Sequence, residues 1–284
     1  MAEDRRDRGG PAAPGAVKHI TSLANPLVKE IRGLALPKNR KASGLFVAEG
    51  LKLVAAAVEA GWTIHSLVHA GNVAGQPLVA RLAATAHAKG GTVVAVSEAV
   101  LAKITRRDNP QTVIGVFAQK LVPVASIRPG TGDTWVALEA VRDPGNLGTI
   151  IRTVDAVGAA GVILVGETGD PFAIEAVRAT MGSIFHVRLA RAGRAEFEGL
   201  ATRWPGLVVG THLSGATDYR AAAYREPVLL VMGNEQAGLT PGLAALCQAL
   251  VKIPMAGKAD SLNLAVATGI MLFEIRRNRL KLDG

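Results

Sequence analysis

Val228-Leu229-Leu230-Val231-Met232-Gly233-Asn234-Glu235-Gln236-Ala237-Gly238-Leu239 is the stretch whose reading decides the fold. Five apolar residues in a row, without alternation, describe a strand buried on both faces, the signature of a parallel sheet covered by helices. The run stops at a glycine and delivers two polar residues, Asn234 and Glu235, at the C-terminal end of the strand, where open α/β sheets bind ligands. Two further junctions repeat this pattern. The apolar run 135–141 gives way to Asp143-Pro144-Gly145-Asn146-Leu147-Gly148 and a helical pattern that carries Arg152. Ile253-Pro254-Met255 closes the last strand, and a loop leads from it to Ser261-Leu262-Asn263 at the head of a long apolar helix. Asn, Arg, Glu and Ser gathered at three strand–helix junctions suggest one composite site.

Working outward, strands are expected at 135–141, 162–165, 186–189, 207–211, 228–232 and 251–253, with helices at 147–157, 172–181, 195–203, 241–246 and 262–280. Toward the N-terminus, residues 17–43 read as a helix with basic flanks, with Asn25 as N-cap and Pro26 at its first position. Strands then follow at 45–48, 64–69, 92–96 and 113–118, with helices at 51–60, 78–89 and after Ser97 to 104. Residues 121–132, with two prolines and Gly130-Thr131-Gly132, read as a linker. The expected organisation is a disordered arm over 1–16, a small α/β/α domain over 17–120, the linker, and a second α/β domain over 133–284 with a mostly parallel sheet.

Charge separates the two halves. Residues 1–132 hold 17 Lys and Arg against 8 Asp and Glu, a net of +9, whereas residues 133–284 hold 15 against 15. A cationic module beside a neutral one fits a division between polyanion binding and chemistry; a soluble basic surface is the bland alternative. The candidate cations for such a polyanion are Lys29, Arg32, Lys38, Arg40 and Lys41. The single cysteine, Cys247, forbids an internal disulfide and points to a reducing compartment such as the cytoplasm. Its neighbours Leu243, Leu246 and Leu250 mark it as a packed, inert thiol. No apolar stretch is long enough to cross a membrane.

Several chemistries find no support in the spacing. The first turn of the second domain lacks G-x-G-x-x-G, and no phosphate-binding lysine loop is present. His65 and His69 are four apart but have no further ligands near them in sequence, so no metal site is expected. Asn146 is placed to cap a helix. Arg152, surrounded by Ile150, Ile151 and Val154, reads as a half-buried arginine that needs a partner, either Asp143 or Asp155 or an anionic substrate. Gly233 would let a ligand approach the backbone. Glu235 either caps the next turn or holds a polar group, and Ser261 is a candidate N-cap. Asn263 reads as an amide inside an apolar helix, in need of hydrogen-bond partners.

Taken together these segments resemble the SpoU (also called TrmH) family of RNA methyltransferases, within the SPOUT class. The resemblance rests on Asn146 with Arg152, then Gly233-Asn234-Glu235 with Gly238, then Ile253-Pro254-Met255 and Ser261-Leu262-Asn263. Arg178-Ala179-Thr180-Met181-Gly182-Ser183 is similar to a further family segment, with Thr180 where Ser is usual and Ser183 where Ala is usual. The first half, through Ile20-Thr21-Ser22-Leu23-Ala24-Asn25-Pro26 and Phe46-Val47-Ala48-Glu49-Gly50, resembles the substrate-binding domain often fused to these enzymes.

The resemblance implies a trefoil knot in the second domain, a homodimer, and S-adenosylmethionine as cofactor, held at Thr211, Gly233, Ile253 and Leu262 with His212 and Leu213 nearby. It implies methylation of a ribose 2′-hydroxyl in ribosomal or transfer RNA, with Asn146, Arg152, Glu235, Ser261 and Asn263 as the catalytic set. A guanidinium stays protonated at neutral pH. Arg152 is therefore expected to grip a phosphate and stabilise the developing alkoxide, with Asn146 orienting it or the ribose. Glu235 is expected to order the loop, and Ser261 and Asn263 to fix the hydroxyl and the cofactor pocket. Rival readings are a base methyltransferase of the same class and a non-catalytic RNA-binding protein of this fold.

Overall fold

The computed structural model describes residues 14–105, 110–212, 217–234 and 238–282. The chain forms two compact units that divide after Gln119. The first contains β1 (Val17–Ile20), α1 (Pro26–Gly33), α2 (Pro37–Ser43), β2 (Leu45–Glu49), α3 (Leu51–Glu59), β3 (Ile64–Ala70), α4 (Pro77–Ala88), β4 (Thr92–Val96), α5 (Glu98–Thr105) and β5 (Val113–Ala118). Its five strands lie in the order β1-β4-β3-β5-β2; β1, β4 and β3 run parallel, while β5 is antiparallel to both its neighbours. Phe46, Trp62 and Phe117 form its aromatic core, with ring centroids 6.0–6.5 Å apart.

The reading of 17–43 as one helix is overturned. Val17 to Ile20 pair with Val93 to Val96 as an edge strand, and two helices follow. Asn25 caps α1, its Oδ1 accepting from Leu27 N at 3.0 Å. Pro37 then breaks the helical path: Leu36 before it is extended (φ −92°, ψ 130°), because a residue preceding proline avoids the helical region and proline has no amide hydrogen to donate. Of the expected arm, residues 1–13 lie outside the described residues. Gly15 N donates to His87 O and Ala16 O accepts from Val93 N, both at 2.8 Å, so these two residues belong to the folded unit.

The second unit contains β6 (Thr134–Glu139), α6 (Pro144–Ala156), β7 (Gly161–Val165), α7 (Ile174–Ala179), β8 (Arg188–Ala192), α8 (Arg194–Thr202), β9 (Leu207–Thr211), β10 (Thr217–Asp218), β11 (Val228–Met232), α9 (Pro241–Ala244), β12 (Ala249–Lys252) and α10 (Leu264–Arg276). Every pairing among its described strands is parallel, in the order β10-β12-β9-β11-β6-β7-β8. Strand β8 lies two residues later than the expected 186–189, and β10 is an edge strand too short to leave a sequence pattern. All five residues of β11 are buried, each contributing roughly 1.5–3 kcal/mol as an upper bound. Within 121–132, Val122 bridges to Ala190 in parallel and Val124 and Ile127 join the core formed by Trp135, Phe197 and Leu229.

This topology sets the site. The chain lays β6, β7 and β8 outward, then returns to place β9 on the far side, and β11 fills the slot between β9 and β6. Strand order therefore reverses at β6, the kind of switch point where such sheets bind ligands. Helix α6, which leaves the end of β6, is held close to α7 by Gly148: a Cβ there would lie 2.4 Å from Ala176 O and 2.6 Å from the Ala179 Cβ.

Candidate active site

The turns after β6 and β11 are tied together. Asn234 Nδ2 donates to Ala140 O at 2.9 Å. Ala140 has φ +52°, a left-handed conformation that costs a non-glycine residue of order 1–3 kcal/mol and is held by its surroundings. Asn234 and Gly238 exchange backbone hydrogen bonds of 3.0 and 2.9 Å, with Gly238 at φ +67°. Gly233 is buried, and a Cβ on it would fall 2.1 Å from the Gly238 carbonyl carbon and 2.2 Å from Leu239 N. The glycine at the strand end is thus required by the chain's own backbone, which packs closely against it. Glu235 lies outside the described residues.

At the head of α6, Asp143 is the N-cap, its Oδ1 accepting from Asn146 N at 2.6 Å. This corrects the capping role expected of Asn146 and frees the Asn146 side chain for another partner. That partner is Asn263, whose Nδ2 donates to Asn146 Oδ1 at 2.9 Å across 117 positions of sequence. Asn263 is not an amide inside a helix: it is exposed and is the N-cap of α10, its Oδ1 accepting from Ala265 N (2.9 Å) and Val266 N (3.3 Å). The cap therefore does not fall to Ser261, which is exposed two residues earlier. One asparagine both starts α10 and binds the start of α6.

Arg152 is exposed, against the expectation of a half-buried side chain. It stands six residues beyond Asn146, about 9 Å along the helix axis. Among the described residues it forms neither hydrogen bond nor ion pair, with Asp143, Asp155 or any other group. The α6 face that carries Leu147, Ile150, Ile151 and Val154 is buried, and Arg152 falls outside that stripe. Asn146 and Asn263 thus touch, Arg152 shares a helix with Asn146, and Ser261 precedes Asn263 by two residues.

The four positions expected to hold the cofactor follow three neighbouring strands. Thr211 ends β9 and its hydroxyl donates to Met232 Sδ at 3.5 Å; His212 N extends the ladder to Val251 O at 3.0 Å. Gly233 follows β11. Ile253 follows β12 and Leu262 precedes Asn263, both half-buried. Leu213 lies outside the described residues.

Sequence reasoning missed Glu139, the last residue of β6. It is buried, yet both carboxylate oxygens are engaged: Oε2 accepts from Thr240 N (2.9 Å), and Oε1 from Thr240 Oγ1 (2.7 Å) and Arg194 Nη1 (3.0 Å). Arg194 also pairs with Glu198 at 2.5 Å. The available signal was an acid closing an otherwise apolar strand, a position that demands a buried partner.

In the first unit Lys29, Lys38 and Lys41 are exposed on α1 and α2, and Arg32 is half-buried. Arg40 is corrected from RNA contact to structure: it is 2% exposed, and its Nη1 donates to Leu34 O (2.7 Å) and Ala35 O (3.0 Å), satisfying carbonyls at the end of α1. Among the described residues no group of three His, Cys, Asp or Glu is placed to hold a metal ion, and no helix is long and apolar enough to cross a membrane.

Comparison with known proteins gives the family of both units. Residues 133–273 match the SpoU rRNA Methylase family and residues 25–115 the MRM3-like substrate binding domain. A 23S rRNA (uridine(2479)-2'-O)-methyltransferase of Streptomyces viridochromogenes is 31% identical over 99% of this chain and 97% of that one. A 23S rRNA (guanosine(2553)-2'-O)-methyltransferase of Bacillus subtilis is 29% identical over 92% and 100%. Among solved structures, the AdoMet-bound rRNA methyltransferase from Sinorhizobium meliloti is 55% identical, covers 94% of this chain and 100% of its own, and superposes with a TM-score of 0.89.

Proposed function

Because this chain belongs to the SpoU rRNA methylase family, we propose that it transfers a methyl group from S-adenosylmethionine to a ribose 2′-hydroxyl of ribosomal RNA. The observation that carries this reading is the meeting of Asn146 and Asn263 at 2.9 Å, with Asn146 on the same helix as an exposed Arg152 that has no partner among the described residues. An arginine presented to solvent at a strand switch point, on a helix whose first turn is fixed by a second helix, is placed to take an anionic substrate. The cofactor positions suit a nucleoside: Thr211, Gly233, Ile253 and Leu262 form a neutral, mostly apolar set, without the cationic cluster that a triphosphate needs.

When bound, the cofactor supplies a methyl group activated by a sulfonium. The chain's own residues then have separate tasks. Arg152 grips the phosphate next to the target ribose and stabilises negative charge as it develops on the 2′-oxygen. Asn146, its amide set by Asn263, orients the ribose or the guanidinium, and Ser261 fixes the hydroxyl. Glu235 orders the loop after β11. Methylation would require the 2′-hydroxyl to give up its proton, which the substrate phosphate or water would take. The first unit delivers the RNA through Lys29, Arg32, Lys38 and Lys41.

The reading includes a knotted second unit, a cytoplasmic setting and a homodimer. Val266 and Phe273 on α10 support the dimer: each is about half exposed (51% and 52%), and a large apolar side chain facing solvent on one helix face calls for a partner surface.

The test is methylation of ribosomal RNA from cells that lack this gene. Wild-type protein should yield a 2′-O-methylated nucleoside. Arg152→Ala should lose at least about a hundredfold in turnover, with cofactor affinity and melting temperature unchanged. Near wild-type turnover of Arg152→Ala, or a base-methylated product, would overturn the reading.

A further inference from the structure

Most arginines of the second unit commit their N–H groups to their own unit. Arg191 donates to Thr168 Oγ1 at 3.2 Å, and Arg276 to Val157 O at 2.5 Å and Gly132 O at 3.1 Å. The side chains of Arg142, Arg152, Arg203 and Arg225 form neither hydrogen bond nor ion pair among the described residues, and each is exposed. Arg203 and Arg225 precede β9 and β11, at the edge of the sheet where its strands start; Leu207 N, at the head of β9, donates to Arg225 O. Arg142 and Arg152 follow β6, at the edge where strands end and where such sheets bind ligands. We propose that Arg142 is a substrate-positioning residue that grips an RNA phosphodiester on the far side of Asn146 from Arg152. The proposal rests on the reading that Asn146 and Arg152 face the target ribose and its phosphate.

The backbone of Arg142 is fixed although its side chain is free. Val141 O accepts from Gly169 N at 2.6 Å, and a Cβ on Gly169 would lie 2.8 Å from Arg142 O, so the turns after β6 and β7 pack with no side chain between them at that point. On the other side Asp143 caps α6 and Pro144 is its first residue. Two carboxylates of these turns face backbone amides instead of the guanidinium: Asp143 Oδ1 accepts from Asn146 N at 2.6 Å, and Asp170 Oδ1 from Phe172 N at 2.9 Å. A cation mounted in this way meets an anion with no ion pair of its own to break first.

Helix α6 sets the spacing. Asp143, Asn146, Thr149 and Arg152 recur every three residues and run as a row along the helix, clear of the buried stripe of Leu147, Ile150, Ile151 and Val154. Thr149 is exposed and uncharged. From Pro144 to Arg152 the helix rises about 12 Å. A sugar–phosphate strand laid along this row meets a guanidinium at each end, with Asn146 between them, and forked N–H donors suit phosphodiester oxygens. The two arginines then differ in effect. Arg152 acts on charge that develops at the 2′-oxygen, whereas Arg142 meets a phosphate that does not react. Its contact is equal in the ground state and the transition state, so it lowers KM for RNA without raising kcat.

The experiment compares full-length wild type, Arg142→Ala, Arg142→Lys and Arg203→Ala, using ribosomal RNA from cells that lack this gene. It measures RNA affinity across a salt series, kcat and KM, and melting without RNA. Arg142→Ala should weaken RNA binding and raise KM for RNA about tenfold, the loss of one charge-assisted contact. It should flatten the plot of log affinity against log salt by about 0.7–0.9, one phosphate, with kcat at saturating RNA and KM for S-adenosylmethionine little changed. The side chain is exposed and unpaired, so melting should match wild type. Arg142→Lys should keep the slope and recover part of the affinity, since lysine holds a phosphate as a point charge. Arg203→Ala, which removes the same charge from the opposite edge, should bind RNA like wild type.

Wild-type affinity and slope in Arg142→Ala would overturn the proposal. An equal loss in Arg203→Ala would overturn it too, by tracing the effect to net charge instead of position. A fall in kcat with KM for RNA unchanged would move Arg142 from the grip to the chemistry, and so count against it as well. Each of these outcomes leaves the methyltransferase reading standing. Wild-type protein that methylates no ribose would remove that reading and the proposal with it.

Discussion

Asn263 is the residue where stability and chemistry can be separated by substitution. Its Oδ1 accepts from Ala265 N and Val266 N at the head of α10, and its Nδ2 donates to Asn146. Replacing an asparagine N-cap by alanine costs about 1 kcal/mol. The bond to Asn146 is solvent-exposed, so its loss adds about 0.5 kcal/mol, the low end for a neutral hydrogen bond. A loss of this size in a unit of this length lowers the melting temperature by roughly 2–6 °C. Asn263→Ser keeps a cap, since serine serves almost as well as asparagine, but its short hydroxyl cannot reach Asn146. Melting at fixed protein concentration should therefore place Asn263→Ser close to wild type and Asn263→Ala below it. Methylation of ribosomal RNA should place both far below wild type. Full turnover in Asn263→Ser would show that the contact between the two asparagines has no part in the chemistry. Asn263→Ala melting with wild type would show that the α10 cap carries less than its geometry implies.

The remaining predictions concern the first unit and the thiol. Combined Lys29→Ala, Lys38→Ala and Lys41→Ala should weaken RNA binding and flatten the plot of log affinity against log salt by about 0.7–0.9 per lost phosphate contact; an unchanged slope would place the RNA elsewhere. Arg40→Ala, by contrast, should destabilise the first unit by about 2–3 kcal/mol through unpaired carbonyls of α1, seen by hydrogen exchange, while folded molecules keep the wild-type salt slope. Burial pushes the Cys247 thiol up to about 12, so almost none is thiolate at pH 8. Iodoacetamide at that pH should label it much more slowly in native than in unfolded protein, and equal rates would contradict its packing.

Most of the second unit was legible in its sequence because parallel strands buried on both faces write unbroken apolar runs. The expected 207–211 and 228–232 coincide with β9 and β11. Elements that leave no such run were not legible: β1, four residues at a sheet edge, was absorbed into a helical reading, and the two-residue β10 left no pattern. At the site, the order of motifs named Asn146 and Asn263, but not which asparagine capped which helix. A cap is decided by the dihedral angles of the residues around it, and the acceptor beside Asn146 proved to be Asp143. Arg152 was read as half-buried from its apolar neighbours; its angular position on α6 turns it outward.

By itself, the sequence determined the alternation of strands and helices, the cationic first half against the neutral second, and the positions where strands end in polar residues, because these depend on local periodicity and composition. Only the tertiary structure decided that β11 slots between β9 and β6, that Asn263 reaches Asn146, that Arg40 is consumed by its own unit, and that Glu139 meets Thr240 while Ala140 meets Asn234. Each of those is a contact between residues distant in the chain, set by how the sheet orders its strands, and no pattern within a single segment carries that information.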